Sequence, residues 1–76
     1  MPGPRRKQLD DVHAALVAKL SKLMRRKGWS SNRLADFSGL ARGYVSDVLN
    51  GKKSPTVRSL AKLAGSLEVP IRDLFE

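Results

Sequence analysis

The chain has 76 residues, enough for one domain with a modest core. It has no cysteine and a single histidine, His13, which excludes disulfides, thiolate metal sites and a zinc site made of histidines, so no metal or cofactor is expected. Its fifteen Lys and Arg outweigh seven Asp and Glu, for a net charge of +8.

In chain order, Met1 to Gln8 (MPGPRRKQ) combines two prolines, a glycine and the bases Arg5, Arg6 and Lys7 without apolar periodicity. It reads as a flexible basic arm over residues 1–8, ahead of a single folded domain over 9–76. From Leu9 onward, Leu9, Val12, Leu16, Leu20 and Leu23 recur at three- and four-residue steps and predict a first helix with these side chains inward. Asp10 and Asp11 near its start and Arg25, Arg26 and Lys27 near its end complement the helix dipole, and Gly28 stops it. His13 falls on the surface of this helix. Ser30 is a suitable N-cap for a short second helix with Leu34, Ala35 and Ser38 inward, ended by Gly39. A third helix comes directly after, with Val45, Val48 and Leu49 buried, and stops at Asn50-Gly51. After a loop, Thr56 caps a fourth helix that turns Val57, Leu60, Leu63, Ala64 and Leu67 inward, and Pro70 opens a final short turn, counted as the fifth helix, bearing Ile71, Leu74 and Phe75. No stretch alternates like a strand. The expected fold is an all-α, compact five-helix bundle.

Charge is unevenly placed. Residues 1–62 carry fourteen bases and four acids, a net of +10, and residues 63–76 carry one base and three acids, a net of −2. Such asymmetry suits a polyanion bound on one face, although a basic surface without a ligand has the same composition. No apolar run has the length of a signal peptide or a membrane span. With the absence of cysteine, this points to the cytoplasm.

The second and third helices are joined by almost nothing. Ala35 must be small where the third helix crosses it, Gly39 can take the left-handed conformation at no steric cost, and Leu40, Val45 and Val48 anchor the far arm. These residues make a tight corner that projects the exposed side of the third helix outward. Residues 30–51, SSNRLADFSGLARGYVSDVLNG, resemble the helix-turn-helix of the phage repressor and Cro (XRE) family. So does the lead-in Lys27-Gly28-Trp29-Ser30, the loop Asn50-Gly51-Lys52-Lys53-Ser54-Pro55-Thr56, and the closing Val69-Pro70-Ile71-Arg72-Asp73-Leu74-Phe75. The likeness runs from about Leu16 to Phe75.

The resemblance implies a lambda-repressor-like domain that lays its third helix in the major groove of double-stranded DNA. The base-reading positions would be Arg42, Gly43, Ser46 and Asp47. Arg42 is suited to guanine O6 and N7, and Asp47 either accepts from cytosine N4 or orients Arg42 or another basic group. Gly43 either permits close approach to DNA or is a tolerated surface residue. Backbone contacts would come from the amides of Ser31 and Asn32 and from Arg33, Tyr44, Lys52, Lys53 and Thr56. The arm, Arg5, Arg6 and Lys7, either reaches a neighbouring groove or adds non-specific attraction. Trp29 is expected between the first helix and the closing turn, and Phe37 partly exposed. Many members pair an arginine late in the first helix with a glutamate ending the third; Met24 and Leu49 stand there, and an apolar contact between them is expected.

The function implied is a transcriptional regulator, a repressor, acting as a homodimer on a palindromic operator. Ile71, Leu74 and Phe75 are the candidate dimer surface, with no small-molecule ligand evident. An antitoxin or a restriction-modification controller of the same fold is the alternative. A protein-interaction module of coactivator type is a further one, disfavoured by Arg42 and the charge placement. An enzyme is not expected, since no paired carboxylates or nucleophile–base set can be assembled.

Overall fold

The longest apolar stripe builds the longest element. Leu16, Leu20, Leu23 and Met24 lie on one face of a helix, and all four are buried. In the computed structural model, which describes the backbone of residues 6–75 and the side chains of residues 11–75, this helix is α1, Arg6–Lys27. Three more α-helices come next, α2 (Ser31–Ser38), α3 (Arg42–Leu49) and α4 (Val57–Ser66), and then a short 3-10 turn, Ile71–Phe75. Among the described residues there is no strand and no helix long and apolar enough to cross a membrane. The class is all-α, as expected. The fifth element is a 3-10 turn and not an α-helix, which suits a segment of five residues held by one turn of i→i+3 bonds.

Helix α1 begins earlier than an arm ending at Gln8 allows. Arg6 and Lys7 belong to it; Arg, Lys and Gln are good helix formers, and no proline interrupts residues 6–27. Asp10 and Asp11 consequently lie beyond the first turn, which holds no acid. Arg5 is outside the described residues, as are the side chains of Arg6, Lys7 and Leu9.

The core gathers Leu16, Leu20, Leu34, Leu63 and Leu74 from all parts of the chain, with Val45 and Val48 from α3 wholly buried. Each buried leucine contributes about 1.5–3 kcal/mol. Met24 is inside this core and Leu49 packs half-buried against the same cluster. The closing turn packs on both α1 and α4, and α2 packs on α3 and α4. Two valines expected inward are not. Val12 is 54% exposed and Val57 76%, each sharing a face with a buried leucine but standing one turn beyond the end of its helix's packed stretch. His13 is half-buried, and its Nε2 lies 3.0 Å from the Val48 carbonyl, joining α1 to the end of α3.

Every α-helix ends on a left-handed residue. These are Gly28, Gly39, Gly51 and Glu68, with φ of 70°, 74°, 76° and 60°. Behind each, a backbone amide reaches back five residues: Trp29 to Met24, Leu40 to Ala35, Lys52 to Asp47, Val69 to Ala64. This reach-back satisfies a carbonyl that the helix end leaves open. It also lets four helices fit into 76 residues.

Candidate nucleic-acid interface

The corner between α2 and α3 sets the site. Ser30 caps α2, its Oγ accepting from the Arg33 amide at 3.3 Å. At the other end the Ala35 carbonyl accepts from the amides of Gly39 and Leu40 at 3.0 and 3.2 Å, and from the Ser38 hydroxyl at 3.2 Å. Ala35 is wholly buried, as the close crossing of α3 requires. The chain then extends through Ala41, which offers no side-chain cap, and α3 starts at Arg42.

Arg42, Gly43, Ser46 and Asp47 occupy adjoining positions on one side of α3, opposite the buried Val45 and Val48. Arg42 and Gly43 are exposed, and Ser46 and Asp47 half-buried. The Ser46 Oγ accepts from Asn50 Nδ2 at 3.3 Å. A Cβ built on Gly43 would meet nothing within 4 Å, so packing inside the domain does not demand glycine there.

The two charged members of this row have partners that the sequence left open. The Asp47 carboxylate lies 3.7 Å from Lys53 Nζ, and its carbonyl accepts from the amides of Lys52 and Lys53 at 2.8 and 3.3 Å. Asp47 thus fastens the loop after α3 and does not pair with Arg42. Arg42 is held by Asp36 of α2, with Nε donating to Oδ1 at 3.2 Å and Nη2 to Oδ2 at 2.9 Å. The hydrogen bonds and then the charge of Asp36 raise the guanidinium pKa above its ordinary value, so Arg42 is a permanent cation.

Of the expected backbone-contact residues, Tyr44 and Thr56 meet in one network. The Tyr44 hydroxyl donates to Ser59 Oγ at 3.0 Å and accepts from the Thr56 amide at 3.4 Å. The Thr56 hydroxyl caps α4 through the Ser59 amide at 3.0 Å. Ser59 is buried, and this network ties α3 to the start of α4. Lys52 and Lys53 are exposed beside it. Ser31, Asn32 and Arg33 form the first turn of α2, at the end away from the Gly39 corner, and the Ser30 cap engages the amide of Arg33 and not those of Ser31 or Asn32.

Sequence reasoning missed Asp36 and Ser59. Asp36 is six residues from Arg42, a spacing with no meaning on one helix, and it becomes a contact only because the corner folds α3 back beside α2. Trp29, expected between the first helix and the closing turn, packs half-buried against the core, and its ring also stacks on Phe37 of α2, with centroids 4.7 Å apart and planes 14° from parallel. Phe37 is 60% exposed. Lys27 lies over the indole at 5.3 Å and pairs with Glu68 at 3.3 Å. Among the candidate dimer residues, Ile71 and Phe75 are exposed, but Leu74 is wholly buried in the core and is unavailable to a partner. In a 3-10 turn adjacent residues project about 120° apart, so Phe75 turns outward where Leu74 turns inward, while Ile71 shares the side of Leu74 one turn earlier and is only partly covered.

Residues 20–74 match the helix-turn-helix family. The chain belongs to that family, of the XRE type, a class of DNA-binding transcription regulators. It is similar to the HTH-type transcriptional regulator SutR of Escherichia coli, 32% identical over 82% of this chain and 35% of that protein. It is also similar to the HTH-type transcriptional regulator SlrR of Bacillus subtilis, 36% identical over 80% of this chain and 41% of that protein. The chain thus spans less than half the length of these curated relatives. Among solved structures it resembles the restriction-modification controller protein C.AhdI from Aeromonas hydrophila, with a TM-score of 0.78 and 35% identity over 83% of this chain and 96% of that one. It likewise resembles a hypothetical transcription factor, NHTF, from Neisseria, with a TM-score of 0.82 and 29% identity over 99% of this chain and 83% of that one.

Proposed function

We propose that this chain binds double-stranded DNA sequence-specifically and regulates transcription as a repressor in the cytoplasm, with α3 in the major groove. The observation that carries this reading is the placement of Arg42. Its charged fork stands exposed on the outward side of α3, next to a glycine that packing does not require. Residues 1–62 as a whole carry a net charge of +10, which supports contact with phosphates.

Gly43 leaves room for the DNA backbone or bases to approach. Lys52, Lys53, Arg33, Tyr44 and Thr56 contact phosphates, together with the amides of Ser31 and Asn32. Arg5, together with Arg6 and Lys7 at the start of α1, adds non-specific attraction. Two copies bind a palindromic operator with half-sites roughly 34 Å apart. Their contact is made by Ile71 and Phe75, and the exposed Val12 widens that apolar surface beside Phe75, across a shallow groove that both line.

Selection from a random DNA pool, with titration at several salt concentrations, tests this reading. Arg42→Ala should weaken binding to the selected site roughly ten- to a hundredfold and relax preference at one base pair. Lys52→Ala should weaken all sequences alike and flatten the salt slope by about one. A pool that emerges unenriched refutes the proposal.

A restriction-modification controller is the second reading, favoured by the match to nearly the whole of C.AhdI. Restriction and methyltransferase genes beside the coding sequence would select it.

A further inference from the structure

Arg42 is not a free side chain, and the edge by which it is held matters. A guanidinium has two forked edges. One is made of Nε–H and one Nη2–H, the other of Nη1–H and the second Nη2–H. Asp36 occupies the first edge, with bonds of 3.2 and 2.9 Å to Nε and Nη2. The second edge is left at the tip of the side chain, and a paired end-on fork is what guanine O6 and N7 accept.

The fold does not need this pair. Both side chains are more than half exposed, at 60% and 57%, and an ion pair so exposed adds little to stability. Nor is Asp36 a natural choice for a surface that meets phosphates, where a carboxylate repels. What the pair does achieve is to fix a long, rotamer-rich side chain in one direction before any partner arrives. The Gly39 corner makes this possible by bringing a residue of α2 alongside the first residue of α3.

We propose that Asp36 is a positioning residue that presets Arg42 as a guanine reader, holding one edge of the guanidinium so that the other is offered end-on. The proposal rests on the DNA-reading function above and names the base that this function recognises. It makes two forecasts of opposite sign. Removing the carboxylate frees Arg42 and costs discrimination, because the side chain must then be ordered on binding. The same removal deletes a negative charge and leaves binding to random DNA unchanged or tighter.

The test uses the full chain and the site selected by the wild type. Discrimination is measured as the ratio of Kd values for that site with its G·C pair and with A·T substituted at the position that Arg42→Ala relaxes. Asp36→Ala should shrink this ratio about three- to tenfold, with Asp36→Asn intermediate, while Kd for random DNA stays level or falls and the unfolding midpoint stays put. If Asp36→Ala leaves the ratio intact or enlarges it, Asp36 is a bystander or a competitor for Arg42, and the proposal is overturned. A relaxed position that proves not to be guanine overturns it as well. Failure of the underlying reading looks different: the wild type then selects no site, or Arg42→Ala relaxes no position.

Discussion

Two corners of this domain are built by the same backbone device and serve opposite ends. After α2 and after α4 a left-handed residue turns the chain, and the next amide reaches back to a carbonyl five residues earlier, Leu40 to Ala35 and Val69 to Ala64. The first corner holds glycine, and α3 beyond it shows a polar, charged side to solvent. The second holds Glu68, a residue type that pays about 1–2 kcal/mol for the left-handed conformation, and the closing turn beyond it folds inward to bury Leu74. Backbone geometry therefore does not decide which corner presents a surface. The residues after the turn decide it, and the corner that displays α3 is the one free of strain.

Truncating Leu74 strikes the inward corner hardest. Leu74→Ala should cost about 2–5 kcal/mol of stability, as for other fully buried leucines, read from urea unfolding. A loss below about 1 kcal/mol, smaller than that range, would mean that the closing turn is peripheral and that the contrast between the corners is wrong. Gly39→Val probes the outward corner by conformation alone, since a Cβ there meets nothing within 4 Å. It should cost about 1–2 kcal/mol and weaken binding to the selected site more than Leu74→Ala does at temperatures where both are folded, because it re-aims α3. Equal losses of binding would show that α3 is not aimed by this corner. Glu68→Gly should have the smallest effect, a gain of up to about 1 kcal/mol reduced by the lost pair with Lys27, visible as a higher melting temperature. A lower melting temperature would show that the ion pair outweighs the strain.

Most of the frame was legible in the sequence because it is written locally. Ser30 and Thr56 cap as their residue types predict, and Leu16, Leu20 and Leu23 of α1 and Leu60 and Leu63 of α4 face inward at helical spacing. What could not be read depends on where helices stop overlapping. Val12 and Val57 obey the helical period yet remain exposed, Val12 on the rim of the groove it shares with Phe75 and Val57 in the first turn of α4. Within the site, the row on α3 was visible as a row, but its pairings were not. Asp36 with Arg42 and Asp47 with Lys53 span six residues each, across a turn whose angle no periodicity encodes. The aromatic stack of Trp29 on Phe37 was hidden for the same reason, as it crosses the junction of α1 and α2.

That stack gives the molecule an optical handle. Trp29 is the only tryptophan in the chain, and it is half-buried between the ring of Phe37 and the ammonium of Lys27. Its fluorescence therefore reports on the junction between α1 and α2, and through the pairing of Lys27 with Glu68 on the far corner too. Loosening either that junction or the Glu68 corner changes the light emitted by a single residue, with no label attached.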